Sequence, residues 1–275
     1  MTGATLRPRA RSAAPAVVVL AVLFGGALVG AGWRSLQPQS LVRDRAPSLD
    51  AWRALLADAA FWDSLRFTLQ YTAVATVLSA AAALGLATAL RRAGRPVTLL
   101  AAAPLPIPHL VVAAVAVVWL APGGLAERLL GILPLDVIGD RAGVGIVLVY
   151  VYKEVPFLTL LVLAAWTPAV SEREEAAAVL GAGPAARLRH VIWPSVCTAL
   201  AIGSLVVTAF LLGALEVPLV VGPTRPTALA QYALDATRTA EPLGQAQAAA
   251  ALLVAAALAT LLALALARLI GRADA

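Results

Sequence analysis

The chain has 275 residues, of which 61% are hydrophobic and 13% charged, with a mean hydropathy of +0.88. These proportions exclude a soluble globular protein and predict a polytopic membrane protein. Its net charge of +6 does not point to nucleic acid, because the arginines sit at the ends of apolar segments rather than on one face.

A basic tail over 1–13, with Arg7, Arg9 and Arg11, precedes an apolar run over 14–31. A charged start, a short apolar stretch and small residues at Gly30-Ala31-Gly32 also describe a secretory signal peptide. The immediate return of the chain to the membrane favours a retained first span. The stretch 37–66 is the most polar, with Arg43, Asp44, Arg45, Asp50, Arg53, Asp58, Asp63 and Arg66 interleaved with Trp52, Phe61 and Trp62. Mixed charge with aromatics predicts an amphipathic segment on the outer membrane surface. Further spans are expected over 67–90, 97–120 and 142–166, then 195–221 and 245–270, each long enough for about 30 Å of hydrocarbon. The expected fold is all-α: six transmembrane helices in one domain over 14–270, followed by a short tail, 271–275.

Between the fourth and fifth spans lies a charged, small-residue island, 171–194. Ser171 with Glu174 three positions on reads as a capping box, and Glu172, Glu174 and Glu175 suit the partly positive start of a helix. Gly181 can take the left-handed conformation that ends a helix, and Gly183-Pro184 turns the chain into a second one. The prediction is helix, turn, helix. Ala176, Ala177 and Ala178 leave a narrow helical surface able to lie in a groove of another protein. From the capping signals alone, a capped cytoplasmic loop with no partner is the simpler reading.

The spacing is more specific. Glu175-Ala176-Ala177, three residues, Gly181, nine residues and Val191-Ile192-Trp193-Pro194 resembles the EAA loop of ABC importer permeases, in which Glu-Ala-Ala, Gly and Ile-x-Leu-Pro fall at the same intervals. Val191 stands for the isoleucine and Trp193 for the leucine, and both keep apolar bulk. The resemblance implies the MetI-like permease fold, with this loop as a coupling helix seated in a cleft of a separate ATP-binding cassette subunit. Glu175, Ala176, Ala177, Gly181 and Pro194 would then be the ATPase-coupling residues. It also implies a second permease subunit, identical or related, and an extracytoplasmic solute-binding protein, in the plasma (inner) membrane. Gly213-Ala214-Leu215-Glu216-Val217-Pro218, with Gly222-Pro223 after it and Leu180 before Gly181, resembles the polyamine, thiamine and iron branch of that family.

Basic residues flank alternate loops: Arg91, Arg92 and Arg95 between the second and third spans, Arg173, Arg187 and Arg189 in the central loop, Arg268 and Arg272 at the end. The positive-inside rule then puts both termini and the central loop in the cytoplasm. Prolines are dense within the spans, at Pro104, Pro106, Pro108, Pro156 and Pro218, and predict kinked helices around a cavity, although each kink can also serve packing alone. Lys153, Glu154 and Glu216 fall inside spans, where a charge costs about 2.5 to 3.5 kcal/mol, and are expected to face the bundle interior as candidate translocation-path residues. Lys153 and Glu216 are the expected pair, with Glu154 turned towards substrate.

No catalytic residues are expected. No nucleophile, paired catalytic carboxylates or nucleotide-binding Gly-x-x-x-x-Gly-Lys-Ser/Thr loop occurs, so ATP would be hydrolysed by another chain and this one is not an enzyme. One cysteine, Cys197, and two histidines, His109 and His190, give no internal disulfide and no metal set, and no cofactor is implied. The alternative is a self-contained secondary transporter using Lys153, Glu154 and Glu216 as ion or proton groups, which an internal repeat would favour and the sequence does not show.

Overall fold

The computed structural model describes residues 9–37, 46–131, 136–239 and 241–273. Among them every regular element is helical, as the apolar composition requires of a chain whose backbone must satisfy itself in lipid. Arg7 and the expected outer charges Arg43, Asp44 and Arg45 lie outside the described residues, as do the side chains of Arg9, Arg11, Arg95 and Arg272. The described residues fall into two compact units, one drawn from Met1–Asp58 with Ala233–Val254, the other from Ala59–Tyr232 with Ala255–Ala275.

In the first unit, α1 (Arg9–Ser35) contains the first expected span. The next helix, α2 (Asp50–Ala57), is amphipathic: Ala51 and Leu55, one turn apart, are buried, while Arg53 and Asp50 pair at 3.4 Å on the exposed side. Trp52 Nε1 donates to Ser35 Oγ at 3.1 Å, tying α2 to the end of α1.

The second unit is built on α3 (Ala59–Leu90), whose 32 residues make a rod about 48 Å long. It buries Phe67, Tyr71, Ala75, Ala83 and Ala87, at helical spacing, in a core shared with α7 (Val144–Ala165) and α10 (Trp193–Gly213). Between α3 and α7 lie α4 (Arg95–Ala101), α5 (His109–Leu120) and α6 (Leu125–Leu130). Then α8 (Pro168–Val179), α9 (Pro184–Arg187) and a π-helical turn, Leu188–Ile192, lead into α10, and α11 (Glu216–Val221) follows it. Two helices have residues in both units, α12 (Leu229–Arg238) and α13 (Gly244–Ala273).

Five helical stretches among the described residues are long and apolar enough to cross a membrane: Val17–Ser35, Ala59–Leu90, Val144–Ala165, Pro184–Gly213 and Gly244–Ile270. The expected third span over 97–120 is different. It breaks into α4 and the 12-residue α5, about 18 Å long, with Pro104, Pro106 and Pro108 in the turns between them. The expected fifth span, 195–221, also divides: α10 ends at Gly213, Ala214 is extended, and α11 restarts at Glu216 with Pro218 in its first turn, where a missing N–H costs nothing. Pro156, by contrast, lies within a continuous α7.

At Gly203, α10 lies close to α7. A Cβ there would press on the Leu161 and Leu158 side chains, which would have to turn aside for any larger residue.

Candidate functional site: a clasped loop and a pinned break

Two clusters of buried charge lie in the second unit. The first holds the island between α7 and α10. Helix α8 begins at Pro168, which supplies the φ of a first helical residue, and Thr167 before it makes no side-chain cap. The expected capping box is therefore not formed. Ser171 is already past the helix start, and Glu174 turns inward instead of back to the terminus.

That inward turn gives Glu174 another task. It is 2% exposed, and its Oε1 accepts from Arg91 Nη2 at 2.7 Å and from Arg187 Nη1 at 3.3 Å. Arg91, just past the end of α3, also donates through Nη1 to the Thr88 carbonyl at 2.8 Å. Its guanidinium lies over the ring of Trp166, the residue that ends α7, 5.2 Å from the centroid. One carboxylate thus gathers the ends of α3 and α7 and both arms of the island. Glu175 is different: its side chain is 66% exposed and its contact with Arg92 is 3.7 Å.

The end of α8 follows the expected chemistry. Gly181 has φ +86°, Ala182 N donates to the Ala177 carbonyl at 2.9 Å and Gly181 N to the Ala178 carbonyl at 3.0 Å. This pair of bonds is a Schellman motif, which satisfies the last carbonyls of the helix. Just before it, Val179 and Leu180 are 88% and 87% exposed. Pro184 opens α9, and Pro194 sits at the start of α10, directly after the π-helical turn. The helix, turn, helix is present, with its second arm running on into α10.

The second cluster lies where the third expected span breaks. Pro108 has no N–H to offer the Pro104 carbonyl, which accepts instead from Ile107 N at 3.3 Å, and the Leu105 and Ile107 carbonyls lie in the turns between α4 and α5. Lys153 of α7 donates through Nζ to all three, at 2.7, 3.2 and 2.6 Å. An ammonium has three donors, and these contacts use them. The expected pair of Lys153 with Glu216 is therefore not made: backbone oxygens of the turns between α4 and α5 take the place of the carboxylate.

Glu154, next in sequence, bonds through Oε1 to His109 Nε2 at 3.0 Å. His109 is the first residue of α5, so this contact fixes α5 to α7 one residue from the lysine pin. Around the imidazole stand Phe210 and Tyr150, with ring centroids 5.0 and 6.2 Å away, and Tyr150 stacks on Tyr71 at 6.3 Å. Glu216, at the first position of α11, is exposed on this chain, and α11 packs against both α5 and α7. Lys153, Glu154 and Glu216 thus lie around one break-and-aromatic region rather than forming a pair.

Sequence reasoning missed Glu174, Arg91 and His109 in these roles. The signal for Glu174 was the Glu174-Glu175 doublet, whose members face different ways on a helix. For His109 it was a polar residue at a proline-ended helix start, facing a charged dipeptide in another span.

A helical membrane chain whose expected third and fifth spans are interrupted, with a helix–turn–helix before α10, has the build of a transporter's membrane subunit. It belongs to the family described as binding-protein-dependent transport system inner membrane component, which matches residues 75–273. A curated relative, the inner membrane ABC transporter permease protein YnjC of Escherichia coli (strain K12), is 33% identical over 192 residues. That match covers 67% of this chain but 36% of the relative, so the chain spans about a third of its length. Among solved structures, a bacterial ABC transporter involved in the import of the acidic polysaccharide alginate aligns with a TM-score of 0.73 at 17% identity, over 94% of this chain and 93% of that one. The alginate transporter in complex with its pentasaccharide-bound periplasmic protein aligns at 0.73 and 16%, over 93% and 91%. At such identities the likeness is one of fold.

Proposed function

We propose that this chain is the permease subunit of an ABC importer that encloses half of a translocation path and takes its drive from a separate ATPase through the loop 171–194. The observation that carries the reading is the Schellman-ended helix–turn–helix. It presents Glu175, Ala176, Ala177 and Gly181 beside an exposed apolar tip, in a chain of the binding-protein-dependent family. Helices α4 and α5, short as they are, together complete a sixth crossing around the proline break. Both termini and the loop lie on the cytoplasmic side, as the arginine flanks indicate. A second permease subunit closes the path, and an extracytoplasmic binding protein delivers the substrate. Glu154 and Glu216 face the path, and the stretch 213–218 supports the polyamine, thiamine and iron branch.

The test is co-purification. Gly181→Val forces a β-branched residue into the left-handed region, and Glu175→Lys reverses the exposed charge. Each should abolish retention of the ATPase while the permease still accumulates in the membrane. Full retention and unchanged ATP hydrolysis in both variants would overturn the reading. Topology is checked in a Cys197→Ala background: a cysteine at Ala182 should resist an impermeant thiol reagent in intact cells while one at Thr227 is labelled.

A further inference from the structure

We propose that Glu174 is a positioning residue that makes the loop and the long helix α3 move as one body, so that displacement of α8 is passed to the membrane through Arg91. The proposal rests on the coupling reading above and names the part that transmits it.

The geometry is specific to Glu174. A tip that docks elsewhere can move membrane helices only if something stiff joins it to them, and a helix–turn–helix held by exposed contacts alone would swivel on its connections. The exposed Glu175–Arg92 contact at 3.7 Å has this weakness, since such pairs contribute little and are readily exchanged for water. Glu174 is the opposite case: buried, with a short charge-assisted bond to Arg91 and a second one to Arg187. Arg91 is itself fixed on three sides, by Glu174, by the Thr88 carbonyl one turn back in α3 and by the Trp166 ring. A planar guanidinium held in this way keeps its orientation, which lysine could not reproduce. Arg187 lies beyond the Gly181 turn, so the same carboxylate also fixes the angle between α8 and α9. Three further buried donors, Arg91 Nε, Arg187 Nε and Trp166 Nε1, have no hydrogen-bond partner among the described residues. The cluster is rich in donors, and Glu174 carries its acceptor load.

The experiment measures the distance between spin labels on cysteines replacing Val179 at the loop tip and Val77 on α3, both exposed, in the Cys197→Ala background. With the full-length chain in lipid nanodiscs, the parent should give one narrow distance distribution and Glu174→Gln one about twofold broader, as expected when a local tether opens. In the complex with the co-purifying ATPase, the parent distance should be the same in the nucleotide-free and vanadate-trapped states, whereas in Glu174→Gln it should change between them. If Glu174→Gln accumulates poorly, the Arg91→Gln/Glu174→Gln double variant replaces it, because it removes the stranded Arg91 charge while still severing α8 from α3. A variant that assembles with parental width and parental nucleotide response would overturn the proposal. Should the unlabelled parent retain no ATPase, the coupling reading falls, while the nanodisc comparison still decides whether Glu174 makes loop and helix rigid.

Discussion

The two buried charge clusters solve the same problem with different partners. At the loop, Glu174 is neutralised by two guanidiniums, so charge meets charge. At the proline break, Lys153 meets no carboxylate and is satisfied by three carbonyl oxygens in the turns between α4 and α5. A cluster of opposite charges joins elements whose separation can change, since each partner keeps its charge when the contact opens. A lysine donating to backbone instead supports an irregular segment, because its carbonyls lack helical partners and need another donor. The first arrangement is a joint between elements and the second a pin through a break.

This contrast orders the expected effects of substitution. The largest is Lys153→Met, which removes the charged donor shared by three carbonyls and should cost about 3 to 5 kcal/mol. It should be read as a lower melting temperature in detergent and less folded protein in the membrane. Combining it with Glu216→Gln tests the pair that the structure lacks: the losses should add, since Glu216 does not contact Lys153. Recovery in the double variant would restore the ion pair and abolish the contrast.

Next comes Glu174→Gln, with a loss of about 2 to 4 kcal/mol, partly relieved when Arg91→Gln is added. Relief in this double variant against simple additivity at Lys153 would sharpen the distinction between joint and pin. His109→Leu, which leaves Glu154 without its partner, should cost about 1.5 to 3 kcal/mol and loosen α5 from α7, visible as faster proteolysis of the 121–143 connection. The smallest effect is that of Glu175→Gln, about 0 to 1 kcal/mol, because its pair with Arg92 is exposed. A large loss of stability there would mean that the two glutamates have exchanged roles.

How much of this was legible in the sequence depends on the distance over which each contact acts. The apolar spans, the glycine that ends α8 and the proline that opens α9 are local signals, and the structure repeats them at Gly181 and Pro184. The start of α8 was misread because a Ser–x–x–Glu pattern is equally available to a helix that begins three residues earlier at Pro168, and only the position of Arg91, 83 residues away, decides where Glu174 points. The lysine pin was invisible for a related reason. Periodicity places Lys153 in a span, but its partners are backbone atoms of a segment whose break depends on Pro104, Pro106 and Pro108 acting together. Charge matching on paper finds side-chain partners and overlooks carbonyls.

The apolar tip at Val179 and Leu180 has a consequence for how the subunit is made. Two large aliphatic side chains left almost wholly bare cost nothing once covered, but in a newly made chain they are an adhesive surface and a recognition mark for chaperones and proteases. On the proposed coupling, a cell that produces this chain in excess of the ATPase that covers the tip should therefore degrade the surplus. The abundance of the chain would then be set by the supply of that ATPase rather than by its own synthesis.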